Sequence, residues 1–135
     1  MRRSWMIGLT TVIFAVGVAA GAALAGNPHG VHDVTVTISG NTVTASGKEA
    51  GLGDEALVHI VLSADAACVN PGSNKPKAAN KQSFSSGDDF PVQNGQANFT
   101  LTLTATFQPN CSPPMTVQFS NITVIDTTNN IQLYP

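Results

Sequence analysis

Between Ala97 and Phe107 every second residue is apolar: Ala97, Phe99, Leu101, Leu103, Ala105 and Phe107 alternate with Asn98, Thr100, Thr102, Thr104 and Thr106. A two-residue period puts the two sets on opposite faces of an extended strand, whereas a helix would scatter them around its axis. Such a strand needs partner strands for its backbone and a core for its apolar face, with the threonine face in water. The same period runs through Val34-Thr35-Val36-Thr37-Ile38-Ser39, then Gly40-Asn41, a two-residue hairpin signal, and resumes in Thr42-Val43-Thr44-Ala45.

The rest of the chain reads as shorter elements of the same kind. Ser46 to Glu55 is a glycine-punctuated connection, and Ala56 to Leu62 is apolar on both faces except at His59. Its β-branched content and short length predict a central strand rather than a helix. Ser63 to Lys81, with Cys68, Asn70-Pro71-Gly72 and Pro76, reads as a long loop, and Gln82 to Ser85 as a short edge strand. Asp88-Asp89-Phe90-Pro91 and Asn94-Gly95 bracket a turn region. Pro109 ends the long alternation, and Val117 and Phe119 begin another inward set. Ile122 and Val124 continue it one residue out of phase, so a β-bulge or strand break is expected at Ser120-Asn121. Ile131-Gln132-Leu133 is the last strand. About six to eight short strands without a helical period predict an all-β fold, an immunoglobulin-like antiparallel β-sandwich, with an up-and-down barrel as the alternative.

Residues 1–25 have a different composition. Arg2 and Arg3 precede an uncharged run from Trp5, which ends in Ala23-Leu24-Ala25 with Gly26 following. That is the layout of a cleavable signal peptide; the alternative is an uncleaved anchor, since about 20 apolar residues can span a bilayer. The expected domain plan is a signal peptide over 1–25, forming a signal helix, a flexible lead-in over 26–32 and one sandwich domain over 33–135. No membrane span remains after cleavage, and the protein is expected to be secreted or periplasmic. Cys68 and Cys111 are the only cysteines. An even count in an exported chain predicts a disulfide; closing a loop of roughly 40 residues is worth about 4 kcal/mol in loop entropy.

With the leader removed, four lysines (Lys48, Lys75, Lys77, Lys81) face eight acids, a net charge of −4, with no arginine. A nucleic-acid grip needs a cationic footprint, so that partner is excluded, and an anionic membrane surface is disfavoured.

The stretches Val34 to Asn41, Val43 to Gly47 and Ala50 to Gly53 resemble small exported bacterial β-sandwich proteins that are uncharacterised. The resemblance implies a bacterial exported β-domain and brings no activity with it.

Candidate chemistry is sparse. His29 and His32, beside Asp33, offer two imidazoles and a carboxylate to a metal, but from a segment lacking partners to orient them. His59 lies in a predicted strand with no nucleophile pattern to activate, so a hydrogen-bonded histidine on the less buried face is expected. Asp88-Asp89 could help hold calcium, although the spacing of a calcium loop is missing. Aromatic platforms for sugar stacking are few, because Tyr134 is the only tyrosine and four of the five Phe after the leader fall on or near inward positions. The threonine ladder Thr100 to Thr106 could match ice or a repetitive lattice only if neighbouring strands share its ranks, and only the pairs Thr35/Thr37 and Thr42/Thr44 could join it. The expected function is a non-catalytic surface-recognition or structural module, without cofactor, that meets a cell-envelope or extracellular component. A small-ligand or calcium-binding protein using the Cys68-to-Pro91 loops is the alternative, and an enzyme ranks behind both.

Overall fold

The long alternation is the third member of a three-stranded sheet in the computed structural model, which describes residues 26–72 and 80–135, with only the backbone of His32. The strands are β1 (His29–Ser39), β2 (Thr42–Ala50), β3 (Leu57–Val69), β4 (Lys81–Pro91), β5 (Ala97–Thr104), β6 (Thr116–Asp126) and β7 (Ile131–Tyr134). One sheet has the order β1-β2-β5 and the other β4-β3-β6-β7, with every pairing antiparallel. The two sheets share one apolar core, so the fold is sandwich-like and all-β. The expected signal segment, residues 1–25, lies outside the described residues, as do residues 73–79 of the expected long loop.

The alternation explains the core directly. Phe99, Leu101 and Leu103 of β5 meet Val43 and Ala45 of β2 on one side and Val58, Ile60, Leu62 and Ala64 of β3 on the other. Fully burying each large aliphatic or aromatic side chain is worth about 1.5–3 kcal/mol. A second cluster extends the core to one end, where Ala66, Cys68, Ala105 and Phe107 are buried against Phe84, Met115 and Phe119. The disulfide Cys68–Cys111 is formed there. It ties β3 of one sheet to the connection leaving β5 of the other, so Cys68 sits inside a strand rather than in a loop.

Several strands run further than their composition indicated. β2 continues through Ala50, across residues read as a connection. β3 continues through Val69, because Ala64 and Ala66 keep facing the core while Ser63 and Asp65 face outward. The 26–32 lead-in contributes residues 29–32 to β1, where His29 and Gly30 pair with Ala50 and Glu49. Gly51, at φ 74, lies directly against the Asn27 carbonyl, a crossing that leaves no room for a Cβ.

The phase change in β6 is a bulge. Ser63 pairs with Thr123 but Asp65 pairs with Ser120, so β6 carries one extra residue, and Asn121 there adopts φ 51. Asn tolerates the left-handed region better than most residues. Its side chain donates a 2.9 Å hydrogen bond to Asp65 Oδ2, while Ser83 donates to Asp65 Oδ1 at 2.6 Å. Asp65 thus pins β4, β3 and β6 together at the bulge. These two bonds, that from Asn121 first, hold its carboxyl below the usual range.

Candidate functional site

The strand registers assemble a surface that no single strand displays. On the outer face of the three-stranded sheet, Thr35 of β1 pairs with Ser46 of β2, which pairs with Thr100 of β5. The next rank is Thr37, Thr44 and Thr102, and the third is Ser39, Thr42 and Thr104. Side chains two apart on a strand share a face at about 6.7 Å, and neighbouring strands lie about 4.8 Å apart. The result is a three-by-three array of hydroxyl side chains without a charge inside it. The β1 and β5 members are exposed and those of the central β2 half-exposed. Within the middle rank the Thr44 and Thr102 hydroxyls lie 3.5 Å apart, an exchange in which either oxygen can donate. A further rank, Lys48 with Asn98, borders the array and brings the first charge. The sequence showed the β5 ladder and the shorter pairs; the shared ranks depend on register, which the hairpin at Gly40-Asn41 sets for β1 and β2 and the core sets for β5.

An open cleft of about 750 Å³ lies at the disulfide end, lined by the β1–β2 turn and the β5–β6 connection, including Ile38, Asn41, Phe107, Asn110, Cys111 and Met115. Ile38 is 54 % exposed at its rim. The cleft is not lined by the Cys68-to-Pro91 segment singled out from composition, whose last eleven residues form β4.

The acidic pair Asp88-Asp89 is not a turn. Both lie on β4, opposite Ile60 and His59, on the edge of the four-stranded sheet. Successive strand residues face opposite ways, so the two carboxylates do not converge on one ion. Charges on an exposed edge strand instead discourage pairing with another chain. Asp89 Oδ1 contacts His59 Nδ1 at 2.7 Å, with side-chain exposures of 59 % and 44 %. The His59 N–H donates to Thr128 Oγ1 at 2.9 Å. His29 begins β1, exposed, and its ring hydrogen-bonds the Asn27 carbonyl. His32 follows in the same strand. Among the described residues no group of three or more His, Cys, Asp or Glu is arranged to hold a metal ion.

Every Phe among the described residues packs on the core, two of them buried and three half-buried. Tyr134 is half-buried against the core as well.

Two fully buried acids, Glu49 on β2 and Asp126 at the end of β6, were absent from the candidates read from composition. A signal for them existed. The inward parity Val43, Ala45, Gly47 reaches Glu49 one step later, and Ile122, Val124 reaches Asp126.

Comparison with protein-family models, curated proteins and solved structures finds no match to this chain.

Proposed function

We propose that this protein is an exported, non-catalytic recognition module that docks through the hydroxyl array of its three-stranded sheet onto an extended, uncharged polysaccharide surface of the cell envelope or its surroundings. The observation that carries this reading is the in-register array of Thr35, Ser46 and Thr100, Thr37, Thr44 and Thr102, and Ser39, Thr42 and Thr104. Each hydroxyl both donates and accepts. A neutral polyhydroxyl surface offers the same groups in return, and neither side has charge to desolvate. Export is supported by the signal-peptide layout of residues 1–25 and by a disulfide, which persists in oxidising compartments. The strand order, with the first, second and fifth strands in one sheet and the fourth, third, sixth and seventh in the other, supports an immunoglobulin-like topology. The non-catalytic reading is supported by His59, whose contact with Asp89 is open to water on both sides.

The test is sedimentation of the oxidised protein with insoluble neutral polysaccharides, beside an acidic polysaccharide and an ice-affinity arm. Saturable binding to a neutral polymer is expected. Thr37→Lys and Thr102→Lys, both at exposed positions, are expected to weaken it ten-fold or more while shifting unfolding by no more than about 0.5 kcal/mol. Binding that survives both substitutions would remove the array from the function. Retention by ice alone would reassign the array to an ice lattice, and binding to none of the surfaces would sink the docking reading.

A second reading rests on the 750 Å³ cleft at the disulfide end, whose volume suits a small ligand. Ligand-dependent rises in unfolding temperature, lost on Met115→Lys, would favour it.

A further inference from the structure

Glu49 presents a problem in chemistry. It is fully buried, and neither carboxyl oxygen has a donor among the described residues. An ionised carboxylate in that position would be costly, because burial without compensating hydrogen bonds penalises the charged form most. Its carboxyl faces that of Asp126, within hydrogen-bonding reach, from the opposite sheet. Two ionised carboxylates would give only acceptors and two like charges.

The surroundings decide which acid keeps its charge. Asp126 Oδ1 accepts from the N–H of Thr128 at 2.8 Å and of Asn129 at 3.1 Å, and Oδ2 accepts from Asn129 Nδ2 at 2.7 Å. Three N–H donors converge on this carboxylate, and none reaches Glu49. The groups that face Glu49 are Asp126 at the end of β6 and Glu55 in the β2–β3 connection, both acidic. Its register partners on β1 and β5 are Gly30 and Ala97, which carry no charge. Glu55 accepts the other hydrogen of the Asn129 amide, at 3.0 Å.

We infer that Glu49 is protonated in the folded protein and donates its proton to Asp126, so that a shared-proton carboxyl pair clasps the two sheets and loosens as that proton is lost. The inference goes beyond the docking reading and does not depend on it. The clasp joins β2 to the β6–β7 turn, since Asp126 also holds the turn through Thr128 and Asn129. Burial first, then the hydrogen bond with Asp126 and the charges of Asp126 and Glu55, push the Glu49 pKa from 4.5 up to about 8.

The sign of the pH effect follows. The unfolded chain releases this proton near 4.5 and the folded chain near 8, so folding takes up a proton across that window. Stability from the clasp is complete below about 4.5, falls as pH rises toward about 8 and is flat above. At full effect the folding constant drops ten-fold per pH unit, about 1.4 kcal/mol.

The experiment is urea unfolding of the oxidised protein and of Glu49→Gln from pH 5 to 9. Gln keeps the shape and supplies an N–H to Asp126. Every other ionisable residue is the same in both proteins, so the difference between the two profiles isolates Glu49. The expected result is a wild type that loses stability relative to E49Q with rising pH, at least ten-fold in folding constant between pH 5 and 8. If E49Q does not fold, infrared spectra of the wild type must show a protonated-carboxyl stretch at pH 6 that disappears by pH 9. Parallel profiles, or no such band, would overturn the proposal. So would restoration of the lost stability at pH 8 by calcium, which would make the cluster a cation site.

Discussion

Replacing Gly47 by Ala adds one methyl group inside the sandwich, and Phe99 sets its cost. The two residues are register partners on β2 and β5. A Cβ on Gly47 would stand 2.9 Å from Phe99 Cζ and 3.2 Å from Val34 Cγ2, closer than side chains pack. The ring has little room to yield: Phe99 is 3 % exposed and stands edge-on to Phe90, with centroids 6.1 Å apart. In an unhindered strand, Gly→Ala gains about 0.5–1 kcal/mol from the backbone alone. Here overpacking of about 1–3 kcal/mol opposes that gain, so Gly47→Ala is expected to destabilise by about 1–2 kcal/mol. Phe99→Ala by itself removes a buried ring and is expected to cost about 3–5 kcal/mol. In the Phe99→Ala background the nearest obstruction is gone and only Val34 Cγ2 at 3.2 Å remains, so Gly47→Ala should change sign to a gain of up to about 0.5–1 kcal/mol. The coupling energy in the four-protein cycle is therefore about 2 kcal/mol. Urea unfolding at one pH, with the disulfide intact, measures it. Equal effects of Gly47→Ala in both backgrounds, or a gain in the wild type, would refute this account of β2–β5 packing.

Two further perturbations test the frame of the fold. Reducing the Cys68–Cys111 bridge, or replacing both residues by Ala, should cost about 4 kcal/mol, since the bridge closes a loop of roughly 40 residues; unfolding with and without reductant gives the value, and a loss below about 1 kcal/mol would mean that the loop entropy is not the main contribution. Asn121→Gly should be milder than Asn121→Val, because φ 51 costs a branched residue about 1–2 kcal/mol and glycine nothing. Both variants lose the bond to Asp65, so the difference between their unfolding free energies isolates the backbone, and equal losses would argue against a left-handed bulge residue.

Much of the fold was legible because a two-residue period is a local property. Val34 to Ala45 and Ala97 to Phe107 declared their inward faces, and the phase break at Ser120-Asn121 marked the bulge. What escaped was what another strand imposes. Ser85-Ser86-Gly87-Asp88-Asp89 has turn composition, yet it is extended because β3 offers it a free hydrogen-bonding edge. Ser46 to Ala50 looked like a connection, yet β5 on one side and β1 on the other hold it as strand.

The sequence by itself determined which residues turn inward, that two cysteines stood ready to pair, and that residues 26–135 carry twice as many acids as lysines and no arginine. Tertiary structure alone decided which strands are neighbours. That choice lined up three separate hydroxyl ladders into one array and brought Glu49 of one sheet against Asp126 of the other. The physical reason is the range of the interactions. Side-chain alternation is set by the dihedral angles of consecutive residues, whereas register and cross-sheet contact come from hydrogen bonds and burial between segments far apart in the chain, which no local pattern encodes.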